Sequence, residues 1–562
     1  MSRAHEPGFI ELFTPKLITV LREGYNLKTL RADTISGLTV AIIALPLSMA
    51  IAIASGVEPE RGLYTAIVGG FLVSALGGSR FQIGGPAGAF IVLVLATVQA
   101  HGVDGLILAT FLSGLFMLAI GLLRLGTFIK YVPYPVTVGF TAGIAVIILA
   151  SQLKDFLGLT LHGQEPGPLI PKLQVLSAAL PTINAAAVAL AVASAAIIVV
   201  LRRYRPHWPG FLIAVAAATL AARAFNLPVE TIGTRFGGIP QALPLPGLPE
   251  MTMEKVTEVL PAALSFALLG SIESLLSAVV ADSMTGRRHR SNCELVAQGI
   301  ANMGSSLFGG FCVTGTIART ASNIRAGAHG PISGMLHSVF LLIFMLAAAP
   351  LAAYVPLAAL AAILVVVAWN MAEKHQFAAL LRASRGDAVV LLVTFLLVIF
   401  RDLTEGILAG FGVGALLFLH RMSTAVAVDR AHPIVQPDRA DNGERPYSSE
   451  MATDDDIVVY RISGAFFFGA AASVAAALDR IGGQPKAYVV DVSAVSVLDS
   501  TAAATIEGFA RKVGRHDAIL YLVGASRQMR HMLHKLGLHA PAVRFYSSMD
   551  GAMAAARKRL GR

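Results

Sequence analysis

A polytopic α-helical membrane protein followed by a small cytoplasmic α/β domain is the fold class this sequence predicts, on three observations. The 562 residues are 55% hydrophobic and 14% charged, with a mean hydropathy of +0.69, too apolar for a soluble chain of this length. The apolar residues gather in runs of roughly 16 to 24, long enough to cross a hydrocarbon core about 30 Å thick. After His420 the composition turns polar, and the apolar runs beyond it are only of strand length.

Taken in order, residues 1–30 read as a cytoplasmic N-terminal segment. Glu6, Glu11, Lys16, Arg22 and Lys28 precede any long apolar run, unlike a cleaved signal peptide. A transmembrane domain follows over 31–422. About fourteen segments begin near Ile35, Tyr64, Ala87, Gly105, Val136, Ala185, Phe211, Ala262, Leu295, Ile317, Met335, Leu357, Ala388 and Leu408. The third and tenth are the least continuous. With the N-terminus in the cytoplasm, every even-numbered segment ends inside, and the basic residues agree: Arg80, Arg124, Arg202 to Arg205, Arg287 to Arg290, and Lys374 to Arg385. The net charge of +10 is therefore read as membrane topology, not as a nucleic-acid surface. Cys293 and Cys312 imply no disulfide framework.

Two glycine-rich breaks organise the domain. FQIGGPAGAF (81–90) interrupts the third segment, with Pro86 suited to a helix first turn. GGFCVTGTIARTASNIRAGAHGPISG (309–334) interrupts the tenth, where glycine, hydroxyls and Arg319 sit at membrane depth. Irregular backbone survives there only inside protein or beside a watery cavity. A helix starting after Gly315 would aim free N–H groups and its positive dipole end into such a cavity, which suits an anion. From Asp33 to Gly85 is about 52 residues and from Pro261 to Gly315 about 54, so the two breaks occupy matching places in two halves. Seven segments is an odd number, so a tandem copy inserts upside down: a 7+7 inverted repeat.

Single residues sharpen this reading. Glu273, in LLGSIESLLSAVV, is a carboxylate in an apolar span and is expected to face a cavity or a partner. Its candidate partners are Arg319, as a structural ion pair, and a transported proton or cation. Ser277 lies one turn on, on the same face. Pro46 interrupts the first segment, placing Leu47 and Ser48 where they could line a pocket. Asp282 reads as a cap or salt-bridge residue and His337 as packed. No metal-ligand spacing, phosphate-cradling loop or nucleophile motif is found, so neither an enzyme nor a cofactor is expected.

A polar linker, 423–455, precedes the last domain, 456–562. Its strands read as Ile457 to Ser463, Ala487 to Ser493 and Ala518 to Gly524, and its helices as Ala470 to Gly482 and Ser500 to Arg515.

These stretches resemble the SulP (sulfate permease) anion transporter family. The resemblance is carried by Asp33 to Ala66, Gly77 to Phe90, Glu273 to Gly310 with NCELVAQGIAN (292–302), and Thr314 to Gly334; DVSAVSVLDSTAAATIEGF (491–509) is similar to a STAS domain core. The resemblance implies core and gate domains, an elevator-like movement, a homodimer in the bacterial inner membrane, and both termini in the cytoplasm. It implies a small anion held by Gly85, Pro86, Ala87, Gly88, Ala89 and Phe90 on one side and Gly315, Thr316, Ile317, Ala318 and Arg319 on the other. Many members have Gln where this chain has Leu47, and PLSMAIAIASG and VAWNMAEKH (367–375) look closest to the C4-dicarboxylate branch. Proton-coupled uptake of succinate, fumarate or aspartate is the leading expectation. The alternatives are a sodium-coupled bicarbonate or sulfate carrier, and a membrane-anchored STAS regulator. Ser500 and Thr501 are candidate regulatory positions, with helix capping by Asp499 or Ser500 as the structural alternative.

Overall fold

The computed structural model describes residues 8–127, 133–161, 163, 165–205, 208–401, 403–424, 427–430, 456–467, 474, 485–535, 538, 540–541 and 543–561. The chain divides into two compact units, Met1–Phe411 and Gly412–Arg562.

Every predicted apolar run coincides with helix. Two short helices, α1 (Phe9–Phe13) and α2 (Lys16–Arg22), precede α3 (Leu27–Ala54). The second segment is α4 (Pro59–Tyr64), a π turn (Thr65–Gly69) and α5 (Gly70–Leu76). After strand β1 (Gly84–Gly85), α6 (Ile91–Leu122) holds the third and fourth segments. Gly102 divides it with φ 70° and ψ −175°, a conformation essentially closed to residues with a Cβ. Then come α7 (Tyr134–Leu157), α8 (Leu169–Ala178), α9 (Ala185–Tyr204), α10 (Gly210–Ala224) and the one-turn α11 (Ile232–Phe236). The second half runs α12 (Met253–Thr285), α13 (Ser291–Leu307), β2 (Thr314–Gly315), α14 (Ile317–Arg325), α15 (Ile332–Ala352), α16 (Leu357–Met371), α17 (Lys374–Ala383), α18 (Arg385–Phe400) and α19 (Leu403–Thr424). Among the described residues, eight helices are long and apolar enough to cross a membrane by themselves.

The tenth segment departs most from expectation. Its helix has only 9 residues, because strand β2 replaces the first half of the span. Short helices α8 and α17, inside stretches expected as loops, are additions.

The packing repeats between the halves. Helix α3 lies on α15, and its counterpart α12 lies on α6. Strands β1 and β2 pair antiparallel, Gly84 with Gly315 and Gly85 with Thr314, as two inverted copies of one element must. A second set packs α7 on α16 and α18, and α9 on α10 and α16. These two sets are the core and gate of the first unit.

The second unit has a five-stranded sheet in the order β3 (Ala427–Arg430), β4 (Ile457–Phe466), β5 (Ala487–Leu498), β6 (Ile519–Val523), β7 (Val543–Tyr546). β3 is antiparallel to β4 and the remaining pairs are parallel. Helices α20 (Ser500–Arg515) and α21 (Arg527–Lys535) share one face of the sheet, through Ile506, Phe509 and Leu533, while α22 (Met549–Arg559) covers the other with Ala552 and Ala556. β3 lies within the stretch expected as linker: pairing with β4 recruits Ala427–Arg430 into the sheet edge. Of the expected helix Ala470 to Gly482 only Val474 is among the described residues, and residues 431–455 lie outside them.

Candidate functional site

The two breaks meet because backbone that leaves a helix in the middle of a span must find partners in protein. Beyond the β1–β2 pairing, Thr316 donates to Ile83 O through its N–H (3.0 Å) and its hydroxyl (3.1 Å). Ile83 N donates to Thr320 Oγ1 at 3.1 Å, and Ser277 Oγ donates to the same hydroxyl at 3.2 Å. Ser274 Oγ accepts from Gly315 N at 3.2 Å and lies 2.7 Å from Thr314 Oγ1, which donates to Gly270 O. From the other side, Asn302 grips Val313 with both ends of its amide, at 2.9 and 3.0 Å. Side chains from α12, α13 and α14 therefore satisfy the broken backbone that lipid could not.

What remains unsatisfied defines the site. Thr316 starts α14 in extended conformation with no capping side chain, and Ala87 does the same for the single turn Gly88–Phe90 ahead of α6. The first N–H groups of a helix lack intrahelical partners, and Ile317, beside Ala318, is 36% exposed. A side chain added at Gly88 would meet Ile148 Cδ1 of α7 at 3.3 Å and Met371 Sδ of α16 at 3.6 Å. The helix start at Gly88 thus faces the boundary between the core and gate sets, while Ile317 and Ala318 at the start of α14 are exposed. Phe90 is buried there against Phe266, ring centroids 6.1 Å apart.

Arg319 is 2% exposed and is tucked behind the break. Its Nη2 donates to Ser48 Oγ and to Pro86 O, each at 3.2 Å, bracing α14 to the first segment and to the other break. Nε and Nη1 have no hydrogen-bond partner among the described residues, and a Cβ at Gly85 would sit 2.2 Å from Nη1, so glycine is what admits the guanidinium. The ion pair with Glu273, weighed as the structural alternative, is not formed. Glu273 is partly buried and makes no hydrogen bond or ion pair among the described residues; Arg319 bonds to Ser48 and Pro86 instead. Ser48 is fully buried under Arg319, Leu47 is buried beside it, and Ser277 is occupied by Thr320.

Gln82 escaped sequence reasoning. It is 3% exposed, neither amide atom has a partner, and a Cβ at Gly315 would fall 1.8 Å from its Nε2. Asn302 was legible: Glu294, Gln298 and Asn302 recur every fourth residue on α13, and all three are buried. Glu294 accepts from Ser79 N at 2.9 Å and from Gln298 Nε2 at 3.1 Å. His337 is fully buried. A cavity of about 830 Å³ lies at the opposite end of the bundle from the basic loops, lined by Glu60, Arg61, His101, Asp104, Glu250 and Lys255 among others. Of the break residues it includes only Gly309, at the very start of the second break, and its carboxylates suit an anion poorly. In the second unit, Asp499 caps α20 by accepting from Ala502 N at 2.8 Å, while Thr501 is exposed.

Residues 30–394 match the sulfate permease family and residues 448–552 the STAS domain. The putative sulfate transporter YvdB of Bacillus subtilis is 40% identical over 520 residues, covering 92% of this chain and 95% of that protein. The bicarbonate transporter BicA of Picosynechococcus is 31% identical over 527 residues, covering 91% and 92%. Murine Slc26a9, an anion transporter solved in the inward-facing state, superimposes with a TM-score of 0.86 at 19% identity, covering 99% and 96%. The transmembrane domain of a cyanobacterial BicA does so at 0.60 and 31% identity, over 69% of this chain and 98% of that one.

Proposed function

Because the chain belongs to the sulfate permease family of anion transporters, we propose that it is a secondary active carrier of a small oxyanion, bound between the starts of α6 and α14. One observation carries this reading. The antiparallel pairing of Gly84–Gly85 with Thr314–Gly315 gathers two uncapped helix starts, whose dipoles and free N–H groups favour negative charge, at the core–gate boundary. Movement of the core against the gate would carry the site across. Glu273, a carboxylate beside that site without a partner among the described residues, is the coupling group, and a proton is the coupling ion. The sulfate and bicarbonate transport named for relatives supports taking those two anions first. The C4-dicarboxylate reading finds no support in those names and stands second, favoured by Leu47 at the position where many family members have Gln. The protein works as a homodimer in the bacterial inner membrane with both termini in the cytoplasm, a placement supported by the basic residues that end the even-numbered segments.

The test is uptake into liposomes of sulfate, bicarbonate, succinate, fumarate and aspartate, each under an imposed proton or sodium gradient. Accumulation of one oxyanion with the proton gradient is expected. Sodium dependence would replace the coupling ion. Absence of uptake of every anion would favour a membrane-anchored STAS regulator.

A further inference from the structure

The residues ahead of α3 are fastened to the core helices. Lys16 N donates to Gly77 O at 2.9 Å. Arg290 Nη1 donates to Thr14 O at 2.6 Å and Thr19 Oγ1 at 3.2 Å. Cys293 Sγ donates to Phe13 O, and Arg80 pairs with Glu23. Helices α1 and α2 thus bridge the α5–β1 and α12–α13 connections and travel with the core.

What this segment shows outward is apolar and net cationic, its exposed carboxylates being Glu11, which accepts from Gly8 N, and Glu23, which is paired with Arg80. Phe9 and Ile10 are 56% and 80% exposed, and Ile18, Leu21 and Leu27 are exposed too. Between and beside them stand exposed Arg22, Lys28 and Arg31, with exposed Arg287 and Arg288 on the connection that Arg290 ties down. Burial, then the charges of Arg290 and Arg80, push the Lys16 ammonium below its ordinary value, against the opposing pull of Asp282 and Glu23. The apolar surface continues into α3, where Leu27, Leu30, Ile35 and Leu38 are exposed along one face. That continuity joins the segment to lipid-facing helix, and its cations are complementary to acidic headgroups.

We propose that residues 8–31 are a docking surface for anionic membrane lipid, with Phe9, Ile10, Leu21 and Leu27 entering the headgroup–acyl boundary and Arg22, Lys28 and Arg31 binding headgroup phosphates. The inference is independent of which anion is carried. It is tested on the full-length protein with tryptophan placed at Phe9 or, in a second variant, Ile10; both sites are exposed, so neither substitution disturbs the core. The protein is reconstituted into phosphatidylcholine vesicles with or without phosphatidylglycerol, either lipid brominated, and quenching is read against the protein lacking the added tryptophan. Quenching should be stronger with brominated phosphatidylglycerol than with brominated phosphatidylcholine. Each of R22Q, K28Q and R31Q should cut that preference by about fivefold, as expected for about one phosphate-facing charge. Equal quenching by both lipids would overturn the anionic preference. No quenching by either, with a Phe9→Cys protein cross-linking to a second copy or to its own C-terminal domain, would show that protein and not lipid covers the face.

Discussion

At the scale of single residues, charge placement separates two roles that the sequence left joined. Arg319 is bonded to Ser48 and Pro86, so its influence on a bound anion is the field of a fixed cation. At about 6 Å and an effective dielectric of 20 that field is worth about 3 kcal/mol per unit charge on the anion. Arg319→Gln should therefore weaken binding of sulfate more than of a monovalent anion such as bicarbonate, measured by competition in proteoliposomes. An equal loss for both would leave Arg319 as a brace alone. Glu273 has no counter-ion among the described residues, so its ionised form would repel an incoming anion by a comparable amount, about a hundredfold in affinity. Protonation removes that repulsion, and by linkage the anion then favours the proton equally. Glu273→Gln, permanently neutral, should bind the anion without pH dependence and lose accumulation driven by a proton gradient. If that variant still concentrates substrate as well as the unaltered protein on a proton gradient alone, coupling resides elsewhere.

At the scale of elements, the β1–β2 pairing is the joint on which both half-helices hang. Its tolerance is set by side chains pressing on glycine: the Gln82 amide occupies the space a Cβ would need at Gly315. Gly315→Ala should cost about 1–3 kcal/mol by overpacking and lower the melting temperature of the detergent-solubilised protein. Adding Gln82→Ala vacates that space, so the double variant should recover most of the loss. Failure to recover would mean that the strand itself, and not the amide, excludes the methyl.

At the scale of the whole molecule, the unit boundary at Phe411/Gly412 falls within α19, and strand β3 begins only at Ala427. Each unit has its own apolar core, so each should fold alone. A chain ending after Met422 is expected to insert, purify as a folded membrane domain and retain reduced uptake. A truncated protein that fails to insert would show that the C-terminal unit is needed for assembly of the first.

Length of apolar run, glycine and proline at the two breaks, the spacing between those breaks and the change of character after His420 were sufficient to read the membrane class, the doubled architecture and the terminal α/β domain, because hydropathy and backbone permissiveness are local properties of a chain. The polar stripe Glu294, Gln298, Asn302 was readable for the same reason, as helical spacing. Tertiary structure alone decided where the guanidinium of Arg319 goes, since Ser48 and Pro86 lie 271 and 233 residues away along the chain, and both side-chain orientations were open to a reading of the sequence. It alone left Glu273 unpaired, pressed Gln82 onto Gly315, drew Ala427–Arg430 into the sheet, and shortened the tenth segment to a half-helix, because a strand or a free carboxylate at membrane depth depends on partners that only the folded chain brings within reach.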